Sequence, residues 1–562
     1  MTARGVTGGR WAAAPAILLA AVLFWIVGYP LLLTLAEALG APHWTLTHVA
    51  EFARRPAEWQ ALWASLWISV ATVVLSAAVG VPLAFLFSRA EFPGRRVLST
   101  LVALPVALPP LIGVLAFLFL YGESGLASRQ VQGLLRLSEP PWRLTGPGAI
   151  LLVHAYSMYV YFYLFTRAGL ERLDEAYLEA AASLGTGRWR TTRRVTLPLL
   201  LPSLTGAALL TFMTSLASFS APYVFGGSFR VMTTQIVASK LNGDTSLAMV
   251  ETVTLTAVGL IGLALLARLE RGRDVAGTVR GVAPRRRLLS GGRWAAAAAG
   301  WALAILLLLP HATLVLVSLV PRNTWTTEAW PPVLRLTNYG SLLADPERVR
   351  PVVNSLWMAT AATAGALLLG FAAASVAVRR RGTLGAALEA LIALPWALPG
   401  TVFAVALAAA FSVHSPWTGR FVLVGTLVIL PLGYLVRGLP LTGRAAFAGL
   451  RQMDPTWLEA AASLGASRAR SFLRIVVPHL RPALAAGASL AFLSALGDFV
   501  VSIVLYTYET RPISIEILSE LRIQEVGVAA AYGVLLTALS ALAFLLWGRG
   551  TEAAGRAEPG AG

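Results

Sequence analysis

Ala12–Ala36, Leu66–Phe87, Val97–Tyr121, Ala295–Val320 and Val526–Trp547 each stay apolar for about 20 residues. As helices they are long enough to cross a hydrocarbon core roughly 30 Å thick. Backbone in lipid must satisfy its own N–H and C=O groups, so such segments are restricted to helix. Only 13% of the 562 residues are charged and 57% are hydrophobic, against a charged fraction near a quarter in soluble domains. The expected fold is therefore an all-α polytopic membrane protein. Twelve spans are placed near 12–36, 62–87, 97–121, 147–167, 203–225, 247–267, 294–320, 352–378, 385–411, 421–440, 483–505 and 526–547. The first is too long for a signal-peptide core and is read as a retained span.

Charge then decides orientation. In a soluble protein a net charge of +18 would point to nucleic acid. Here it follows topology, because lysine and arginine favour cytoplasmic loops. Most of the 45 basic residues lie inside if both termini are cytoplasmic. The lipid bilayer is the expected partner, and nucleic acid is not one. The absence of cysteine excludes disulfides, thiolate metal sites and cysteine nucleophiles.

The chain also repeats itself. EAAASLG stands at Glu179–Gly185 and again at Glu459–Gly465, and over 26 residues the two copies agree at 14 positions. Ser65-Leu66-Trp67 returns as Ser355-Leu356-Trp357, and ALPVALPP from Ala103 as ALPWALPG from Ala393, both 290 residues later. Since the EAAASLG copies are 280 apart, the first half should carry about ten extra residues, placed in the loop Gly122–Gly146. Two homologous halves of six spans follow, 1–267 and 294–562, joined by a cytoplasmic linker, Arg268–Arg293, with eight arginines. An even span count inserts both halves the same way round, related by a pseudo-twofold axis along the membrane normal.

The repeated segments, 174–202 and 454–482, read as short helices. Asp454-Pro455 supplies an N-cap and an N1 proline, and Asp174 aligns with Asp454. Gly185 and Gly465 supply left-handed stops. About ten residues in between make a helix that is marginal alone and needs a surface to dock on. The arginines that follow (Arg188, Arg190, Arg193, Arg194; Arg468, Arg470, Arg474) suit an anionic inner surface. Pro198, Pro202, Pro478 and Pro482 set the entry angle of the next span.

This pattern resembles the EAA loop of binding-protein-dependent ABC importer permeases. Glu179, Ala180, Ala181, Gly185, Val195, Leu197 and Pro198 fit it, as do Glu459, Ala460, Ala461, Gly465, Ile475, Val477 and Pro478. Val195 stands where Ile is usual and Val477 where Leu is usual. The resemblance implies that Glu179, Ala180, Ala181 and Gly185, with Glu459, Ala460, Ala461 and Gly465, couple to an ATPase. It implies two copies of an ABC ATP-binding subunit as partners, with ATP and Mg held there. It also implies a periplasmic or lipid-anchored substrate-binding protein and a place in the bacterial cytoplasmic (inner) membrane. Two EAA loops in one chain look like the fused permeases of iron(III) and thiamine importers. Ferric iron leads on that layout and on ASFSAPYVFGG and LGDF, with thiamine second and polyamine, phosphonate and sulfate further alternatives.

A P-loop requires Gly-Lys-Ser/Thr. The only lysine, Lys240 in ASKLN, has neither the glycines nor the hydroxyl partner, so the chain is not expected to be an enzyme or to hold a cofactor. Asp498 aligns with Ser218 near the end of a span, and an ionisable residue there marks a translocation-pathway candidate. Its structural alternative is a carboxylate paired with a neighbour. Tyr156, Tyr159 and Tyr163 form a helical stripe suited to packing, and His154 and His414 lack ligand-spaced companions, so no metal site is expected. An ATP-independent secondary transporter would not explain the doubled segment. A membrane enzyme has no HExxH, GxSxG or acid–His constellation behind it.

Overall fold

The computed structural model describes residues 14–555 apart from 104, 106–108, 272–285, 288–289, 326–327, 380–381 and 415–420. Nine helices of the first half carry the architecture: α1 (Ala14–Ala38), α2 (Pro56–Arg89), α3 (Pro110–Tyr121), α4 (Gly146–Glu171), α5 (Glu175–Ser183), α6 (Leu197–Leu216), α7 (Ser220–Phe225), α8 (Met232–Leu241) and α9 (Thr245–Arg271). The second half repeats them in order: α10 (Ser290–Ser318), α11 (Pro346–Arg379), α12 (Gly400–Ala410), α13 (Ile429–Gln452), α14 (Thr456–Ser463), α15 (Val477–Leu496), α16 (Val500–Leu505), α17 (Ile513–Arg522) and α18 (Val526–Gly555). The protein is an all-α polytopic membrane protein built of two homologous halves.

Ten helices among the described residues are long and apolar enough to span, eleven if the pair Thr383–Ala397 and Gly400–Ala410, bent by 113°, counts as one. The sequence reading gave twelve. The remaining one is α13, which takes the place of α4 but carries Arg437, Arg444 and Arg451. It also begins later than the expected 421–440. Other spans are broken where proline or a capping residue interrupts the ladder: 97–121 divides into Arg95–Ala103 and α3, 203–225 into α6 and α7, and 483–505 into α15 and α16.

Within each half, α2 packs along α4 and α11 along α13. Glycine makes that approach possible at equivalent points. A Cβ on Gly80 would lie 2.3 Å from the Tyr159 carbonyl oxygen, and one on Gly370 would lie 2.8 Å from Thr442 Oγ1. Small residues at such crossings let backbones meet where lipid supplies no hydrophobic drive. The halves also interlock. α1 packs on α11 and α12 of the second half, and α10 packs on α3 of the first. One buried cluster spans both halves, with Ile112, Phe119 and Phe219 meeting Leu407, Phe411 and Phe499.

Residues 272–285 and 288–289 of the linker lie outside the described residues. Arg286–Arg287 pairs in parallel with Ala90–Glu91. Because α1 and α10 cross between halves independently of the linker, segments 1–280 and 281–562 expressed together should reassemble a transporting permease. Co-purification of the two segments with at least about half of the intact chain's transport is the expected result. A cysteine at Gly277, also outside the described residues, should react with an impermeant maleimide only after cells are broken.

Candidate functional site

Two pairs of sites repeat between the halves. The first is the EAAASLG segment. Asp174 Oδ1 accepts the Ala176 N–H at 3.0 Å, and Asp454 Oδ1 accepts that of Thr456 at 2.9 Å. The bond from Thr456 holds the exposed Asp454 carboxyl below its ordinary value, since it favours the charged form. At the other end, Thr186 N–H bonds to the Ala181 carbonyl at 3.1 Å and Ala466 N–H to that of Ala461 at 2.9 Å, the closing bond of a Schellman cap. Gly185 and Gly465 sit at φ 73° and 76°, a left-handed conformation that costs an L side chain about 1–2 kcal/mol.

These helices are nine and eight residues long, too short to be stable in isolation. Only Ala181 and Ala461 of the heptapeptides are buried. Glu179, Ala180 and Ala182 are exposed, as are Glu459, Ala460 and Ala462. Leu184 is 82% exposed and Leu464 88%. Each segment therefore presents a low alanine surface with one glutamate and one leucine that nothing among the described residues covers.

Beyond each segment a π-helical turn, Thr192–Thr196 or Phe472–Val476, leads into α6 or α15. Each turn ends two residues before a proline, Pro198 or Pro478, and the π turn Phe24–Gly28 does so before Pro30. Proline has no N–H for the carbonyl four residues back and its ring crowds that carbonyl. The wider turn takes up both defects without ending the helix.

The second pair is Ser218 and Asp498. They lie in the breaks between α6 and α7 and between α15 and α16. Their backbones are held alike: Thr233 Oγ1 donates to the Ser218 carbonyl and Ser514 Oγ to the Asp498 carbonyl, both at 2.7 Å. The adjoining rings, Phe219 and Phe499, meet with centroids 5.6 Å apart, so the two breaks converge on the pseudo-twofold axis. Arg522 Nη2 donates to Tyr223 Oη across the same boundary at 2.8 Å.

The side chains differ. Asp498, 7% exposed, caps α16 by accepting the Val501 and Ser502 N–H groups at 2.8 and 3.3 Å. Its other oxygen lies 3.4 Å from Arg437 Nη1. Tyr434 Oη and Ser502 Oγ share a hydrogen bond at 2.7 Å beside it. Ser218 Oγ instead bonds to His154 Nε2 at 2.9 Å, and Thr72 and Ser215 hydroxyls reach His154 Nδ1 at 3.1 and 3.2 Å. Register pairs His154 with Tyr434 and Ser157 with Arg437. Where Ser157 leaves space, a cavity of about 60 Å³ opens, lined by Pro109, His154, Tyr156, Ser157, Ser218 and His311. In the second half Arg437 fills that space so closely that a Cβ on Gly400 would be 1.9 Å from its Nη1.

Asp498 is thus paired and capped rather than a free carboxylate. Among the described residues no three His, Cys, Asp or Glu side chains are placed to hold a metal. Sequence reading missed Arg437 and the His154–Ser218 contact. The 280-residue register offered a signal, since it sets Arg437 against Ser157 within the apolar first part of α13. Gly497-Asp498 offered another, a helix stop followed by a cap.

The model of the binding-protein-dependent transport system inner membrane component family matches this chain twice, over residues 76–275 and 366–548. The probable ABC transporter permease protein y4fN of Sinorhizobium fredii (strain NBRC 101917 / NGR234) is 30% identical over 93% of this chain and 94% of its own length. The ferric transport system permease protein FbpB of Actinobacillus pleuropneumoniae is 26% identical over 82% of this chain and 67% of its own. The thiamine transport system permease protein ThiP of Brucella abortus (strain 2308) is 31% identical over 39% of this chain and 40% of its own. With two matched repeats and a relative similar from end to end, the chain belongs to the family of binding-protein-dependent inner membrane transport components, as an ABC importer permease.

Proposed function

We propose that this permease moves ferric iron, delivered by an extracytoplasmic binding protein, at the expense of ATP hydrolysed by two copies of a separate ATP-binding subunit. The observation that carries the energetic part is the pair of capped, uncovered EAAASLG helices, Glu175–Ser183 and Thr456–Ser463. Two equivalent docking helices in one chain suit two equivalent partner subunits. On this reading both segments and both termini are cytoplasmic. Glu179, Ala180, Ala181 and Gly185 form one docking surface, and Glu459, Ala460, Ala461 and Gly465 the other. Ser218 and Asp498 line the route at the axis.

Iron as cargo rests on the likeness to the ferric permease FbpB across 82% of this chain. Thiamine is the second reading, favoured by the 31% identity to ThiP over a shorter stretch. The polar residues at the axis suit weak passage of either, with selection left to the binding protein. In proteoliposomes containing the permease, its ATP-binding subunit and the binding protein, iron uptake should rise at least about tenfold with Mg-ATP. Thiamine uptake without iron uptake would replace the cargo and keep the coupling. Uptake of either without the ATP-binding subunit would overturn the importer reading.

A further inference from the structure

Glu58 on α2 and Glu251 on α9 are both buried, and both meet the same face of α8, at Gln235 and Ser239 one turn apart. One oxygen of each already has a donor. Gln235 Nε2 bonds to Glu58 Oε1 at 3.0 Å, and Ser239 Oγ bonds to Glu251 Oε1 at 2.7 Å. The other two, Glu58 Oε2 and Glu251 Oε2, are buried with no donor among the described residues. Two ionised carboxylates in that position would combine like-charge repulsion with the loss of hydration of both.

The second half shows what the first one lacks. Glu58 is matched by Arg348, and Gln235, Ser239 and Glu251 by Glu516, Glu520 and Tyr532. Glu516 and Glu520 are buried as well, but Arg348 and Arg511 attract both, with Arg511 Nε 2.7 Å from Glu516 Oε2. The first half has a carboxyl where the second has the Arg348 guanidinium. Arg55 attracts Glu251, but each nearby basic group has a nearer acidic or polar partner. Arg55 pairs with Glu51 and Asp244, Arg230 donates to Gln235 Oε1, and Lys240 faces Glu37. α12, packed on α8 and α9, brings no charged residue.

We propose that Glu58 and Glu251 form a binding site for a single proton, one carboxyl donating through Oε2 to Oε2 of the other. The proton supplies the positive charge that Arg348 supplies in the second half. It leaves the pair with one net negative charge and both oxygens satisfied. The site also braces the route through the molecule. Gln235 and Ser239 belong to α8, and Thr233 at the start of α8 holds the Ser218 carbonyl. Loss of the proton therefore loosens the helix that positions one side of the axis.

The test uses the full chain in detergent micelles. Infrared spectra near pH 7 should contain a protonated-carboxyl C=O band that disappears in both Glu58→Gln and Glu251→Gln. Tm of the wild type should fall as pH rises from about 6 to about 9, by on the order of 1–2 °C per pH unit. The sign follows from the proton's being bound in the folded state and released on unfolding. Glu251→Gln, whose amide is a permanent donor, should flatten that slope, and Glu58→Gln serves if it fails to fold. A wild-type spectrum without the band, or equal slopes in wild type and variants, would overturn the site. A rise in wild-type Tm with sodium or calcium at constant pH, absent from Glu251→Gln, would overturn the proton as occupant.

Discussion

Lysine at both Glu179 and Glu459 is expected to leave the protein folded and inserted while lowering ATP-driven import at least about tenfold. Both glutamates are exposed and neither supports the fold, so the loss should appear in coupling rather than in stability. Tenfold corresponds to roughly 1.4 kcal/mol, within the range for reversing a charge at a docked surface. A bulky β-branched residue at Gly185 and Gly465 should act by another route. Among the described residues nothing lies within 4 Å of a Cβ at either position, so the cost comes from the left-handed backbone, which would unwind the last turn and displace Leu184 or Leu464. ATPase activity of the assembled complex should persist and become independent of the binding protein. The decisive measurement is transport and ATP hydrolysis per assembled complex. Unchanged import by the double lysine variant would remove the coupling role from these glutamates.

Asp498→Asn is expected to slow import of a cationic cargo by about tenfold while the fold survives. An asparagine Oδ1 continues to accept the Val501 and Ser502 N–H groups, so the cap of α16 is kept. What disappears is the charge opposite Arg437, whose side chain is 32% exposed. Partial exposure keeps the stability loss well below the roughly 3–5 kcal/mol of a fully buried broken pair. The uncompensated guanidinium beside the axis then repels a cation. Arg437→Ser in the Asp498→Asn background copies the Ser157 and Ser218 chemistry of the first half and should restore most of the rate, a non-additivity that a double-mutant cycle reads directly. Ser218→Ala removes one bond to His154 and should change the rate less than about twofold. A drop in Tm or yield of Asp498→Asn that precedes any loss of rate per folded complex would assign Asp498 to structure. Wild-type import would exclude a role in the route.

Sequence alone determined the membrane class, the two-half plan and the position of the repeated segments. Each rests on information local in the chain: apolar runs matched to bilayer thickness, a heptapeptide in fixed register, and caps within a few residues of the helix they start or stop. The Asp174, Asp454, Gly185 and Gly465 geometry was legible for that reason. Span boundaries at 97–121, 203–225 and 483–505 were not, because hydropathy averages across a break that single prolines or Asp498 impose.

Only the tertiary structure decided which residues meet. Asp498 is 61 residues from Arg437, Ser218 is 64 from His154, and Glu58 is 193 from Glu251. No periodicity links such positions. Nor does the sequence reveal that α1 and α10 each cross to the opposite half. Spanning helices are each stable in lipid before they associate, and their partners are chosen by shape and a few polar contacts rather than by hydrophobic drive. Arg437 on Asp498 and α8 on Ser218 exist only once each half has packed, and Phe219 on Phe499 only once the two halves have closed around one axis.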